Sequence, residues 1–140
     1  SESDYGDEQV EIIKIFEKLQ QTIGGTNDNM ALEAILDSLT SEDKEKIGQN
    51  KIMEMVFEIT DGGSSDPGAA RAAVDKLDEA KVIARAFQIG NVSETEKNIF
   101  DNVWNDGRAE KFGEIVGENI ANLLPAIVQL LKKYLGNVRL

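Results

Sequence analysis

The longest apolar pattern in the chain, at residues 108–135, constrains the fold more than any other feature. Its apolar side chains recur every three or four residues, which is the spacing of one face of an α-helix. These residues are Phe112, Val116, Ile120, Leu123, Ile127, Leu131 and Leu135. Leu124, Val128 and Tyr134 widen this face, so we expect a helix that contacts neighbours on more than one side. Pro125 lacks a backbone N–H group and should kink or split the helix.

Five other segments have the helical spacing of apolar residues, and no segment shows the sustained alternation of a half-buried strand. They lie at residues 10–23, 32–39, 41–59, 70–87 and 93–104. At 140 residues the chain is long enough to form one hydrophobic core. The sequence therefore predicts an all-α protein, with a disordered acidic arm at residues 1–9 and a single compact bundle of five or six helices at residues 10–140.

Capping residues mark where several of these helices begin. Thr40 and Ser93 are each followed three residues later by an acid, which is the spacing of a capping box. Asp66 and Pro67 are typical of an N-cap followed by the first helical residue. They end a loop rich in glycine and serine at residues 61–67, which we expect to be a mobile tip, a protease-sensitive site or a contact loop.

The charge balance and two missing residue types narrow the classes of function. The chain has 26 acidic and 15 basic residues and a net charge of −11, which disfavours nucleic acid and anionic membranes as partners. It has no cysteine and no histidine, which excludes thiolate chemistry, the commonest general base and the usual zinc ligands, and leaves carboxylate or lysine catalysis as the remaining enzymatic alternative. We expect a non-enzymatic protein with no cofactor and no metal site. A protein partner with a basic surface is the electrostatic match.

The acidic arm contains the residues that we predict to contact such a partner. Four acids surround a tyrosine near the start of the chain, a setting that resembles the substrates of tyrosine sulfation in secreted proteins. The predicted contact residues are Glu2, Asp4, Tyr5, Asp7 and Glu8. Tyr5 is thus a candidate for sulfation, and Asn91 begins a sequon for N-glycosylation. Both features favour secretion, while the absence of cysteine is also compatible with the cytosol.

Three hypotheses about function follow, in order of preference. In the first, the protein binds a macromolecular partner through its acidic surface and inhibits it. In the second, it carries an apolar ligand such as a fatty acid in a cavity between helices. The predicted lining residues of that cavity are Phe87, Ile120, Leu124, Ile127 and Leu131. In the third, a helix face with Gly113 and Gly117, or the C-terminal helix, pairs with a second copy, so we expect a monomer or a weak homodimer.

Overall fold

The computed structural model describes residues 27–135, which form five α-helices, three β-strands and a short 3-10 helix. The helices are α1 (Asp28–Ser38), α2 (Ser41–Gly48), α3 (Pro67–Glu79), α4 (Glu94–Trp104) and α5 (Leu123–Leu135). The strands are β1 (Met55–Thr60), β2 (Ile83–Ile89) and β3 (Gly113–Gly117), and the 3-10 helix is Ile120–Asn122. The arm predicted at residues 1–9 and the helix predicted at residues 10–23 lie outside the described residues.

The fold is a layered α/β structure, so the prediction of an all-α helical bundle is wrong. The three strands form a parallel sheet in the order β1, β2, β3, with β2 in the centre. Val56, Phe57 and Phe87 are almost wholly buried because helices cover both faces of this sheet. Parallel strands buried in this way are near-continuous apolar runs. Such strands lack the alternation of polar and apolar residues that identifies an exposed strand. Their apolar residues can also match the spacing of a helix face.

The sheet separates two apolar layers. On one face, α1, α3 and α4 form a cluster in which Leu77 and Trp104 are buried together with Val56 of β1. On the other face, α5 buries Leu131 in a cluster with Phe57 of β1. A site between the sheet and α5 is thus separated from the main core by the whole thickness of the sheet.

Two of the predicted helices are each a helix followed by a strand. The helix expected at residues 70–87 ends at Glu79, Lys81 takes a left-handed conformation with a φ of 64°, and β2 follows. The helix expected at residues 41–59 ends at Gly48, and β1 replaces its second half. Three residues connect α3 to β2, and six residues connect α2 to β1.

The long helix expected at residues 108–135 is also divided, but here the strand comes first and the helix follows. Its first half contains β3, and the α-helix begins at Leu123. Pro125 therefore lies in the first turn of α5, where a missing N–H group costs no helical hydrogen bond. The glycines expected on a helix face mark the ends of β3 instead. Gly113 packs against α4, and Gly117 has a φ of 84°.

The predicted caps are present. The Thr40 hydroxyl accepts the N–H group of Asp43 at 3.0 Å, and the Asp43 carboxylate accepts the N–H group of Thr40 at 3.1 Å, which completes a capping box. Asp66 caps α3 by accepting the N–H group of Ala69 at 3.1 Å. The Ser93 hydroxyl accepts the N–H group three residues later at 3.2 Å and caps α4.

Candidate functional site

The predicted partner-binding and modification residues are only partly described. The acidic arm with Tyr5 lies outside the described residues. Asn91 is exposed in the turn between β2 and α4, and Ser93 of the same sequon is the N-cap of α4. Exposure makes the Asn91 amide accessible to modifying enzymes. Its glycosylation and the sulfation of Tyr5 stay predictions.

The five predicted cavity residues fall into two groups. Phe87 and Leu131 are buried, and Ile127 is half-buried with them in the layer between the sheet and α5. Ile120 and Leu124 lie on the outside, with 64% and 68% of their surface exposed. The structure therefore brings the first three residues together and leaves the other two in solvent at the start of α5.

A cavity of about 430 Å³ lies between the sheet and α5. It is lined by Arg85, Ala86 and Phe87 of β2, by residues 111–114, and by Ala126, Gln129, Leu130 and Lys133 of α5. Phe87, Ala126 and Leu130 form the apolar part of the lining, and Arg85 contributes a positive charge to it. The cavity thus combines an apolar interior with a cation.

Arg85 is buried, with 7% of its surface exposed. Its Nη1 donates to the carbonyl of Ala84 at 2.8 Å, and its Nη2 donates to the hydroxyl of Tyr134. The guanidinium carbon lies 3.9 Å from the ring centroid of Phe112 and 5.4 Å from that of Tyr134. Within residues 27–135, its buried Nε has no hydrogen-bond partner and no carboxylate pairs with the guanidinium. Buried charges are normally paired, so an anion that bound next to this guanidinium would be stabilised by it.

Two lysines add positive charge to the same cavity. Lys111 and Lys133 line it together with Arg85, and Glu114 is the acid in the lining. Glu110 pairs with Lys133; their hydrogen bond lowers the pKa of Glu110 and raises that of Lys133, and the charge of Arg85 also lowers the pKa of Glu110. The lining therefore carries three cations and one anion, although the chain as a whole has a net charge of −11.

A second polar cluster lies at the carboxyl end of β1, on the face covered by α1, α3 and α4. Glu58 is 3% exposed, and burial, followed by the charge of Asp28, raises its pKa to about 9. Neutral Glu58 donates a hydrogen bond to Asp28 and accepts one from the indole of Trp104. Asp28 also accepts the Ser64 hydroxyl at 2.6 Å. These bonds connect the start of α1 to β1 and to the loop that follows it.

β2 also contacts the loop that follows β1. The wholly buried Gln88 donates through Nε2 to the carbonyls of Gly62 at 3.1 Å and Glu96 at 3.3 Å. The Thr60 hydroxyl accepts the N–H group of Gly62 at 3.2 Å. The polar groups of this loop are therefore largely bonded within the protein. In the described part of the chain, no group of three or more His, Cys, Asp or Glu side chains is placed to hold a metal ion.

An exposed apolar surface lies where β3 leads into α5. Ile120 and Leu124 are four residues apart and both point to solvent. The ionisable side chains in residues 113–130 are the acids Glu114 and Glu118, both exposed. We call Ile120, Leu124 and Glu118 the β3–α5 patch. Beside it, the outer edge of β3 pairs with no strand among residues 27–135.

Arg85 and Glu58 were not among the site residues predicted from the sequence. Each is a charge within an apolar run, Glu58 in Met-Val-Phe-Glu-Ile and Arg85 in Ile-Ala-Arg-Ala-Phe. Such a charge indicates a buried polar site once the run is recognised as a strand, because charged side chains are rarely buried without a partner. On a helix the same charges would be assigned to the solvated face.

Comparisons with known proteins add one relative. No family model matches the chain, and no solved structure matches it. A protein of Treponema pallidum (strain Nichols), described as uncharacterised, is 31% identical over 128 residues. The similarity covers 91% of this chain and 21% of that protein, so the chain spans about one fifth of the relative's length. Within residues 27–135, no helix is long and apolar enough to cross a membrane.

Proposed function

We propose that this chain is a non-enzymatic binding domain whose β3–α5 patch docks on a protein partner with basic residues around an apolar centre. The exposure of Ile120 and Leu124, at 64% and 68%, is the observation that carries the proposal. Apolar side chains that are exposed together and surrounded by polar residues commonly mark protein interfaces. Ile120 begins the 3-10 helix, and Leu124 follows four residues later in the first turn of α5.

The charge around the patch supports a basic partner. Glu118 is the exposed acid of the patch, whereas the exposed Glu114 also lines the cavity that contains Lys111 and Lys133. With a net charge of −11, the long-range field of the protein attracts a basic surface and accelerates encounter with it. Apolar contact then supplies most of the affinity, and the acids favour the correct partner.

Replacing Ile120 and Leu124 together by Ser should weaken partner binding strongly. Burial of two such side chains contributes about 3 kcal/mol, which corresponds to roughly a hundredfold in Kd. A photoreactive amino acid at the exposed Ala121 would first identify the contacting protein by crosslinking. Isothermal titration of that purified protein with wild type and variant then measures the loss.

Met30→Ser is the matched control, because Met30 is also 64% exposed but lies on α1. It should leave the affinity unchanged, and added salt should weaken wild-type binding through screening of the acids. Equal binding of the double variant and wild type would refute the docking role of the patch. A crosslink between two copies of this chain would replace the proposal with self-association.

A further inference from the structure

The cavity between the sheet and α5 has no assigned occupant, and its position is independent of the β3–α5 patch. We propose that it binds a small organic acid, with one carboxylate at Arg85 and an apolar body of about eight carbons along the wall formed by Phe87, Ala126 and Leu130. Binding of this acid does not depend on the protein partner of the β3–α5 patch.

The unmet bonding capacity of Arg85 is the first support. Its two Nη atoms donate to Ala84 and Tyr134, whereas the buried Nε donates to no atom of the described residues. Leaving a buried charged donor without an acceptor costs more free energy than leaving a neutral one. A carboxylate bound at the guanidinium would supply the missing countercharge.

The fixed orientation of the guanidinium is the second support. Phe112 lies against its plane with the ring centroid 3.9 Å away, and Tyr134 holds it by both its ring and its hydroxyl. Arg85 is therefore in place before a ligand arrives, so little conformational freedom is lost on binding. A positioned cation in a preformed apolar cavity is the usual arrangement for orienting a small ligand.

The composition of the lining selects a carboxylate over a phosphate. Ala84 and Tyr134 use two of the five N–H groups of Arg85, and the donors that remain lie in one plane. That arrangement fits a planar carboxylate, whereas a tetrahedral phosphate needs donors outside the plane. Most of the remaining wall is apolar, which suits an alkyl or aryl body. Lys111 at the same cavity attracts the anion from solvent, against the negative charge of the rest of the molecule, whereas Lys133 is already paired with Glu110.

Calorimetric titration of the 140-residue chain with octanoate tests the site, and octanol is the uncharged probe of the same length. Octanoate should bind at least tenfold more tightly than octanol. Arg85→Met, which keeps the length of the side chain but removes its charge, should weaken octanoate binding roughly tenfold or more. Lys132→Met is the matched control, because Lys132 is exposed on α5 and does not line the cavity. It should bind octanoate like wild type.

Ala126→Leu provides a test that leaves every charge in place. The larger side chain fills the cavity from α5, so it should abolish octanoate binding while the circular dichroism spectrum stays unchanged. Equal affinity for octanoate and octanol, or full binding by Ala126→Leu, would overturn the proposal. So would failure of octanoate to bind where an acetylated tripeptide with a free C-terminal leucine does bind, because the site would then recognise a peptide end.

Discussion

At the scale of single residues, Glu58 is an acid that the folded protein keeps neutral. Burial and the neighbouring Asp28 raise its pKa from 4.5 to about 9. The unfolded chain releases this proton at the lower value, so the folded state binds one more proton between the two pKa values. The contribution of Glu58 to stability is therefore complete below the lower pKa and is lost as the pH rises through the higher one.

Glu58→Gln keeps the size of the side chain and a hydrogen-bond donor for Asp28, but it cannot ionise. In wild type this group should lower the free energy of unfolding by up to about 1.4 kcal/mol per pH unit between the two pKa values. The variant should show a shallower decline across that range. Urea unfolding at a series of pH values measures it, with the exposed Glu45→Gln as control. Parallel profiles for Glu58→Gln and wild type would mean that Glu58 ionises normally.

Gly113 is the residue at which β3 approaches α4 most closely. A Cβ atom at this position would lie 2.6 Å from Cε1 of Phe100 and 2.8 Å from Cβ of Trp104. Both neighbours are buried, at 2% and 1% exposure, so neither can move aside freely. The backbone N–H group of Gly113 also donates to Asn105 at 2.8 Å, which fixes the strand against the end of α4.

Gly113→Ala should therefore lower the free energy of unfolding by roughly 1–3 kcal/mol, because one extra methyl group overpacks the interface. Gly48→Ala is the matched control, since a Cβ atom there meets nothing within 4 Å. At the end of a helix this control should be neutral or stabilising by up to about 1 kcal/mol. Urea unfolding compares the two, and similar effects of both changes would contradict the close packing of β3 on α4.

At the scale of elements, the helices whose signals are local could be predicted from the sequence. The apolar spacing of α1 and the caps of α2, α3 and α4 depend on residues within four positions of one another. Such interactions form in the same way whatever the rest of the chain does. The loop between β1 and α3 was predictable for the same reason, because its glycines and serines favour turns locally.

The strands could not be predicted, because their pattern depends on what covers them. β2 buries side chains on both faces, including the polar Arg85 and Gln88, so the pattern has neither the alternation nor the polar face of an exposed strand. The break before β2 carries no glycine or proline. Lys81 adopts its left-handed φ while Val82 donates to Leu77 at 2.9 Å and Ile83 donates to Glu54 at 2.9 Å. These hydrogen bonds stabilise the turn at Lys81 although the local sequence favours continuation of the helix.

Lys81→Gly should stabilise the protein by about 1 kcal/mol, because a left-handed conformation is unfavourable for lysine and freely accessible to glycine. Lys76→Gly provides the opposite control inside α3, where glycine should destabilise by about 1 kcal/mol. Thermal unfolding distinguishes the two by the sign of the shift in Tm. Destabilisation by both changes would show that the turn at Lys81 depends on the lysine side chain.

At the scale of the whole molecule, the net charge predicts the electrostatic potential at long range but not the local charge at individual sites. Composition indicated a basic partner, and the acidic surroundings of the β3–α5 patch support that proposal. The cationic cavity under α5 could not be inferred from composition, since it assembles residues that are distant in the sequence. Arg85, Lys111 and Lys133 come together because α5 returns across the sheet. A local excess of positive charge thus coexists with a net charge of −11.

The two helical layers differ in how firmly they are attached. α3 buries Ala70, Ala73, Val74 and Leu77, whereas α5 buries Leu131 alone among its described side chains. Elements with fewer buried contacts open at a lower free energy than the molecule as a whole. Solvent therefore reaches the layer beneath α5 before it reaches the main core. A molecule held there can exchange at the exposed rim formed by Lys111, Glu114 and Gln129, so its residence time need not follow the movement of α5.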